Sequence, residues 1–342
     1  MNFLGRHLVF PCEALIYGPV YATFKYLIRS PKPLDPEKTW KLLTGEPSGL
    51  VRAICEGYPP KFVRRLLLGR HRTQAHEVGI SEHYDVSNDF YELFLDKKYM
   101  FYTCADHYAD TQTLEEAQTN KANFILGLVD PKPGEKILEL GCGWGSMMKR
   151  IYEHTGDKEN LHGYTLSKEQ VAYNTEHNGF NVEFKNFVTS DYPTAEFDKI
   201  YSIGAWEAVR PDEHLQLMEK LYRALKPGGR CVLHFFCFST HRRPASSICG
   251  LIFFPGHLLS EYRFYLNHFE QVGFQVTQRT IHDYRQTLRD WFDNLVANKE
   301  QAIDLVGVET YNRYIVFFPA SWRYFEDDNG LLIRWVLDKP PA

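Results

Sequence analysis

The chain has 342 residues, with 39 Lys and Arg against 43 Asp and Glu and a formal net charge of -4. That length allows one large domain with an appendage, or two domains, and so even a balance excludes the basic footprint of a nucleic-acid binder. Seven cysteines, at positions 12, 55, 104, 142, 231, 237 and 249, form no CxxC pair and no metal-ligand spacing. Their odd number and scatter favour a reducing, cytoplasmic setting over a disulfide framework or a metal site.

The first segment with character is LVFPCEALIYGPVYATFKYLI (8–28), apolar overall but interrupted by Pro11, Glu13, Gly18, Pro19 and Lys25. A spanning helix wants about 20 largely uncharged residues, and a signal peptide wants a small-residue cleavage site after its apolar core. Neither fits. Two readings stay open, a segment packed on the protein's own surface and one that touches a bilayer; peripheral membrane contact is the expectation. Residues 30–75 carry short helical patterns, among them PPKFVRRLLLGRH, a basic amphipathic helix over 60–72. These patterns make 1–78 a mainly helical N-terminal segment and 79–342 the main domain.

TLEEAQTNKANFILGLV (113–129) opens with a capping box, Thr113 to Glu116, and continues at helical spacing. Strands and helices then alternate: strand 135–140, helix 145–155, strand 160–165, helix 167–178, strands 181–187 and 197–204, helix 212–226, strand 229–236. Such alternation predicts an α/β fold, a doubly wound Rossmann-like parallel sheet whose ligand sits beyond the carboxyl ends of its strands. An apolar insertion at about 240–272, a helix-rich tail and a last strand, LLIRWVL (331–337), complete the chain.

The chemistry begins at KILELGCGWGS (136–146), a strand, a tight turn with Gly141, Gly143 and Gly145, and a helix start. A dinucleotide fingerprint wants glycine at its first, third and sixth positions, but the sixth here is Ser146. Glu139 stands two residues before the first glycine, where a carboxylate repels a pyrophosphate and attracts an ammonium group. The turn therefore suits a nucleoside with a cationic tail. At the tip of the second strand, where an acid usually takes the ribose hydroxyls, the chain offers Thr165 and Gln170. Ser167 and Gln170 also fit an S-x-x-Q cap, and capping alone would explain them.

Taken together, these residues resemble the class I S-adenosylmethionine (SAM)-dependent methyltransferases, and more narrowly the cyclopropane fatty acid synthase and mycolic acid cyclopropane synthase family. HYDVSNDFYELFLD (83–96), FYTCADHY (101–108), TLEEAQ (113–118), ILELGCGWGS, GYTLSKEQ, FDKIYSIGAWEAV (197–209), VLHFF (232–236), FFPGHLLS (253–260) and YRQTLRDW (284–291) follow in family order over roughly residues 80–340. The resemblance implies that Glu139, Gly141, Gly143, Gly145, Thr165, Leu166 and Gln170 hold SAM, with Tyr102 and Thr103 closing over it. The adenine contact is either Asn186 and Phe187 or Asp191 and Tyr192, with the first pair preferred. It implies further that a bicarbonate ion serves as base, held by a cluster matching Cys104, Glu207, His234, Phe236 and Tyr284. Methyl transfer to an alkene leaves a carbocation, which needs an aromatic, water-free surround until a proton departs.

The implied acceptor is an unsaturated acyl chain of a phospholipid at a membrane surface, and the family resemblance also allows a homodimer. Three departures leave the acceptor and the ring-closing step open. The chain reads Trp206-Glu207-Ala208 where the family commonly has Phe-Glu-His, Arg210 and Pro211 replace a flexible glycine, and Ser321 takes a position that is often cysteine. Two rival functions stand beside this one: a small-amine N-methyltransferase, and a SAM-binding protein without turnover.

Overall fold

Among the described residues, seven strands form one mixed sheet: β1 (Ile137–Leu140), β2 (Leu161–Thr165), β3 (Asn181–Phe184), β4 (Phe197–Ile203), β5 (Leu225–Phe238), β6 (Gln275–His282) and β7 (Gly330–Asp338). Their order is β3-β2-β1-β4-β5-β7-β6. β1 pairs in parallel with β2 on one side and β4 on the other, β2 with β3 and β4 with β5 are also parallel, and β6 pairs antiparallel with β7. The chain winds outward from β1 to β3, returns to the middle as β4, and winds the other way. The doubly wound α/β sheet expected from the alternation is thus present, with its switch point between β1 and β4. This computed structural model describes residues 3–46, 48–49, 88–109, 112–239, 252–253 and 259–342. The basic pattern at 60–72 and most of the apolar stretch at 245–260 lie outside the described residues.

Two compact units divide the chain. One comprises Asp96–Thr240, Leu258–Asp283 and Leu331–Ala342 and holds the sheet; the other comprises Met1–Leu95, His241–His257 and Tyr284–Gly330. In the sheet unit, β1 is buried along its whole length, as expected of a central parallel strand covered on both faces. Leu217, Met218 and Leu221 of the helix Pro211–Ala224 pack with Leu138, Ile200 and Leu233 in one cluster. Ile125 and Val129 of the helix Leu114–Val129 pack with Ile137, Met148 and Ile151 in a second cluster. The predicted capping box is formed: Glu116 N donates to Thr113 Oγ1 (3.2 Å) and Thr113 N donates to Glu116 Oε2 (2.9 Å).

Two local readings needed the structure. The helix predicted over 167–178 is α-helical only over Lys168–Tyr173 and widens to a π-turn at Asn174–Asn178. There Asn174 Nδ2 donates to Gly143 O (2.9 Å) and Gln170 O (2.8 Å), tying the widened turn to the glycine loop. β6 was not foreseen, because QVTQRTIH is polar and largely exposed, as suits an edge strand.

The second unit is helical where it is described: α1 (Phe3–Tyr17), α2 (Pro19–Ile28), Pro36–Thr44, Asn88–Glu92, Arg285–Ala297 and Lys299–Glu326. Its core is aromatic, with Phe90, Phe94, Trp291, Tyr314 and Phe318 meeting edge to face or tilted. Buried Asn312 accepts from Leu34 N (2.8 Å) and donates to Ser30 O (3.2 Å) and Lys32 O (3.1 Å), fixing the link between α2 and the next helix. Pro11 lies within α1, and Arg29 pairs with Glu13 at 2.9 Å. Among the described residues, no helix is long and apolar enough to cross a membrane.

Candidate active site

Glu139 is the third residue of β1, in register with Gly163 of β2 and Tyr201 of β4. It is buried, and Tyr201 Oη donates to its Oε2 at 2.8 Å across the switch point. Burial pushes its carboxyl up to about 8, against the opposing pull of the Tyr201 hydroxyl and the Lys121 ammonium. Immediately beyond, Gly141 and Gly143 take positive φ of 78° and 54°. The two serve different ends. A Cβ on Gly141 would lie 2.3 Å from the Ala205 Cβ, so this glycine lets the turn close on the loop after β4. A Cβ on Gly143 would meet nothing within 4 Å, which leaves open space where a ligand approaches. Gly145 caps the helix Ser146–Thr155 and lies against the Asn174 carboxamide.

At the end of β2, Thr165 Oγ1 donates to Gln170 Oε1 (2.6 Å) and accepts from Ser167 N (3.2 Å). Ser167 also caps its helix, accepting from Gln170 N (3.3 Å). The two polar groups therefore stand together beside exposed Leu166. Of the two candidate adenine pairs, Phe187 is buried and lies parallel to Trp206, with ring centroids 6.3 Å apart. Asn186 Oδ1 accepts from Val188 N (3.0 Å), closing the turn that presents Phe187. Tyr192 Oη is turned inward to Phe187 O (2.5 Å), and the Asp191 side chain is fully exposed. Both features leave the first pair better placed.

Tyr102 and Thr103 precede buried Cys104. Thr103 is held from below: Lys121 Nζ donates to its Oγ1 (2.8 Å) and Gln118 Nε2 to its carbonyl (2.9 Å). An ammonium has no acceptor, so the Thr103 hydroxyl proton must point elsewhere and is available as a donor. Lys121 is wholly buried, its Nζ 3.2 Å from the centroid of the Phe101 ring, and burial lowers its pKa. Cys104 Sγ lies 3.3 Å from both Ala105 O and Asp283 O.

Glu207 sits in a 3-10 turn, Trp206–Ala208, just past β4. Its Oε1 accepts from Phe236 N of β5 (3.1 Å), while its buried Oε2 has no hydrogen-bond partner among the described residues. Burial raises this carboxyl to about 7. His234 and Phe236, two apart on β5, face the same side of the sheet. His234 Nδ1 accepts from Arg334 Nε (2.9 Å), and its pKa is held well below the usual imidazole range by burial and then by the Arg334 charge. Tyr284 belongs to the helical unit, where it precedes the helix Arg285–Ala297 and rests on Trp291 and Phe325.

The sheet unit thus brings together the glycine turn, Glu139 and Tyr201 at β1 and β4, Thr165 with Gln170 at β2, and Glu207 with His234 and Phe236 at β4 and β5. Lys121, Tyr201, Asp106, His282 and Arg334 were missed from the sequence. Two of them left a signal. Lys121 falls on the stripe Leu114, Ala117, Lys121, Ile125, Leu128, all buried, and Arg334 interrupts the apolar strand LLIRWVL.

This strand order, with a glycine turn after β1 and a carboxylate at its head, defines a class I SAM-dependent methyltransferase. Residues 71–335 match the family model for mycolic acid cyclopropane synthetase, and the chain belongs to that family. The S-adenosylmethionine-dependent methyltransferase UmaA of Mycobacterium tuberculosis is 32% identical over 279 residues, 75% of this chain and 95% of the relative. Cyclopropane mycolic acid synthase 3 of the same organism is 30% identical over 286 residues, 77% of this chain and 98% of the relative. Among solved structures, the mycolic acid cyclopropane synthase CmaA1 complexed with SAH and CTAB superposes with a TM-score of 0.70 at 29% identity, over 78% of this chain and 99% of that one.

Proposed function

We propose that this methyltransferase transfers the SAM methyl group to the double bond of an unsaturated acyl chain in a membrane phospholipid. The observation that carries the reading is Glu207: a buried carboxyl just past the end of β4, one oxygen fixed by the Phe236 amide and the other without a partner among the described residues. A buried polar atom is normally satisfied. Here the unmatched oxygen marks where a small polar species completes the site. The glycine turn, Glu139, Thr165, Gln170, Asn186 and Phe187 hold SAM, with Tyr102 and Thr103 covering it. Glu139 takes the methionine ammonium, and the Thr103 hydroxyl, its oxygen already accepting from Lys121, has a proton to give to the carboxylate.

Attack of the alkene on the sulfonium methyl forms a carbon–carbon bond, releases S-adenosylhomocysteine and leaves a carbocation on the chain. Loss of one proton then gives the ring or the branched product. The donor set fits a resident bicarbonate: Glu207 Oε2 can accept its O–H, and His234, with Nδ1 already engaged, has Nε2 to offer. When bound, that ion would supply the base for the departing proton. Glu207 orders one side of the pocket, and Cys104 and Phe236 of the same unit add a lining that is poor in nucleophilic oxygen.

Membrane contact is supported by α1. Leu4, Leu8 and Leu15 lie within a narrow arc of the helix and are 68%, 68% and 77% exposed, an apolar stripe facing solvent. The test is incubation of the purified protein with SAM and vesicles of mono-unsaturated anionic phospholipid, followed by mass spectrometry. A gain of one methylene unit per acyl chain is expected, reduced when bicarbonate is stripped, together with salt-sensitive flotation of the protein. Methylation of a water-soluble amine with no change in any lipid would replace this reading with the amine rival. SAM binding without turnover on either would leave a SAM-binding protein only.

A further inference from the structure

Arg334 is a wholly buried guanidinium in the middle of β7, and each of its three nitrogens donates a hydrogen bond. Its two terminal nitrogens fork onto Asp106, with Nη1 to Oδ2 at 2.6 Å and Nη2 to Oδ1 at 2.7 Å. His282 Nδ1 lies 3.2 Å from the same Asp106 Oδ1, and the guanidinium carbon lies 5.0 Å from the centroid of the Phe124 ring. The remaining nitrogen, Nε, donates to His234 Nδ1. Asp106 is drawn down to about 2: burial opposes this, but His282 and Arg334 together outweigh it. The backbone of His234 is also pinned, since its carbonyl accepts from Gly204 N (2.8 Å).

A guanidinium only donates. Its bond therefore fixes Nδ1 of His234 as the lone-pair nitrogen and leaves the ring proton on Nε2. We propose that Arg334, clamped by Asp106 and His282, is a positioning residue that locks His234 as the Nε2–H tautomer and makes it a permanent hydrogen-bond donor in the catalytic pocket. The role in turnover rests on the function proposed above; the tautomer does not. An imidazole so held cannot act as the base that removes the product proton, because its only lone pair is engaged by Arg334. That duty passes to whatever His234 Nε2 and Glu207 Oε2 hold between them, which must carry acceptors for the imidazole N–H.

The test uses the full chain with 15N-labelled histidine, His234 being assigned by loss of its signals in His234→Gln. Two-bond proton–nitrogen correlations distinguish the tautomers. Wild type should show Nε2 protonated and Nδ1 unprotonated at every pH between about 6 and 8. In the charge-swapped pair Arg334→Glu with Asp106→Arg, the residue facing Nδ1 becomes a pure acceptor. His234 should then flip to the Nδ1–H form. kcat should fall roughly 10- to 100-fold, the scale seen when an outer partner no longer orients a functional histidine, while SAM affinity stays unchanged. A purely structural ion pair predicts loss of folding or no effect, and neither flips a tautomer. A wild-type protein with Nδ1 protonated overturns the proposal whether or not the double variant folds. A swapped protein that folds, shows the flip and keeps full kcat overturns the positioning role. Wild type with the Nε2–H form but no activity on unsaturated lipid would overturn the proposed function instead.

Discussion

Glu139 and Glu207 are the same residue type, one buried near the carboxyl end of β1 and the other just past the end of neighbouring β4, and both held far above the ordinary carboxylate range. What each faces differs. Glu139 has a phenol hydroxyl on one oxygen and the open glycine turn ahead of it, with Lys121 near enough to favour its ionised form. Glu207 has a backbone amide on one oxygen and, among the described residues, no hydrogen-bond partner on the other and no cation that draws its proton off. The first is ready to ionise when a cationic group arrives. The second keeps, near neutrality, the choice between taking and giving a proton. On the function proposed above, one fold uses burial twice, and the partner of the carboxyl decides whether it binds charge or manages a proton.

The largest expected effect breaks the first half of this comparison and leaves the second. Gly143→Val should weaken SAM binding by more than about 10²-fold, because a β-branched residue strains at positive φ and its side chain fills the ligand's approach. The Cβ meets no protein atom within 4 Å, so the fold should survive. Calorimetric titration with SAM and NAD beside a melting curve checks it. Full SAM affinity in a folded variant would mean that the ligand lies elsewhere, and tighter binding of NAD by wild type would overturn the reading of the turn.

Glu207→Gln breaks the second half. The amide oxygen can still accept from Phe236 N, but an NH2 replaces the free acceptor at Oε2. Turnover on a vesicle-bound mono-unsaturated lipid should drop by about 10², the scale of a lost acid–base group, with the SAM dissociation constant unchanged. Equal losses in binding and turnover would merge the two carboxylates into one function and end the contrast.

The sequence made the first region legible and the second only in outline. The glycine turn, the capping box at Thr113 and the strand–helix alternation are local patterns, set by residues a few positions apart, and the structure shows them where the patterns place them. The clamp around His234 is not local. Arg334 lies 228 positions from Asp106 and 100 from His234, so no spacing rule joins them, although an arginine inside an apolar strand signals a buried partner somewhere. Tyr201 was hidden for a similar reason: in a central strand a tyrosine reads as packing until the β1–β4 register sets its hydroxyl against Glu139. Even Lys121, on a stripe of otherwise small or apolar side chains, is recognisable as part of the site only once Thr103 is found above it.

The smallest expected effect sharpens the comparison at Glu139. A carboxyl at about 8 must lose its proton to pair with an ammonium, so SAM affinity should rise with pH by up to about tenfold per unit as pH approaches 8. It should fall again once the ligand's own amino group, with an ordinary pKa near 8, loses its proton. Tyr201→Phe removes the hydroxyl that favours the ionised form of Glu139. Its carboxyl should rise further, which lowers SAM affinity at pH 7 and moves the ascending limb upward. Glu139→Gln should abolish that limb, whereas Glu207→Gln should leave it in place. Titration calorimetry between pH 6 and 9, repeated in buffers of different ionisation enthalpy, reads both the affinity and the proton released on binding. Release that disappears in Glu139→Gln and persists in Glu207→Gln assigns the proton to the first carboxyl. A limb that follows Glu207 instead would reverse the roles drawn for the two.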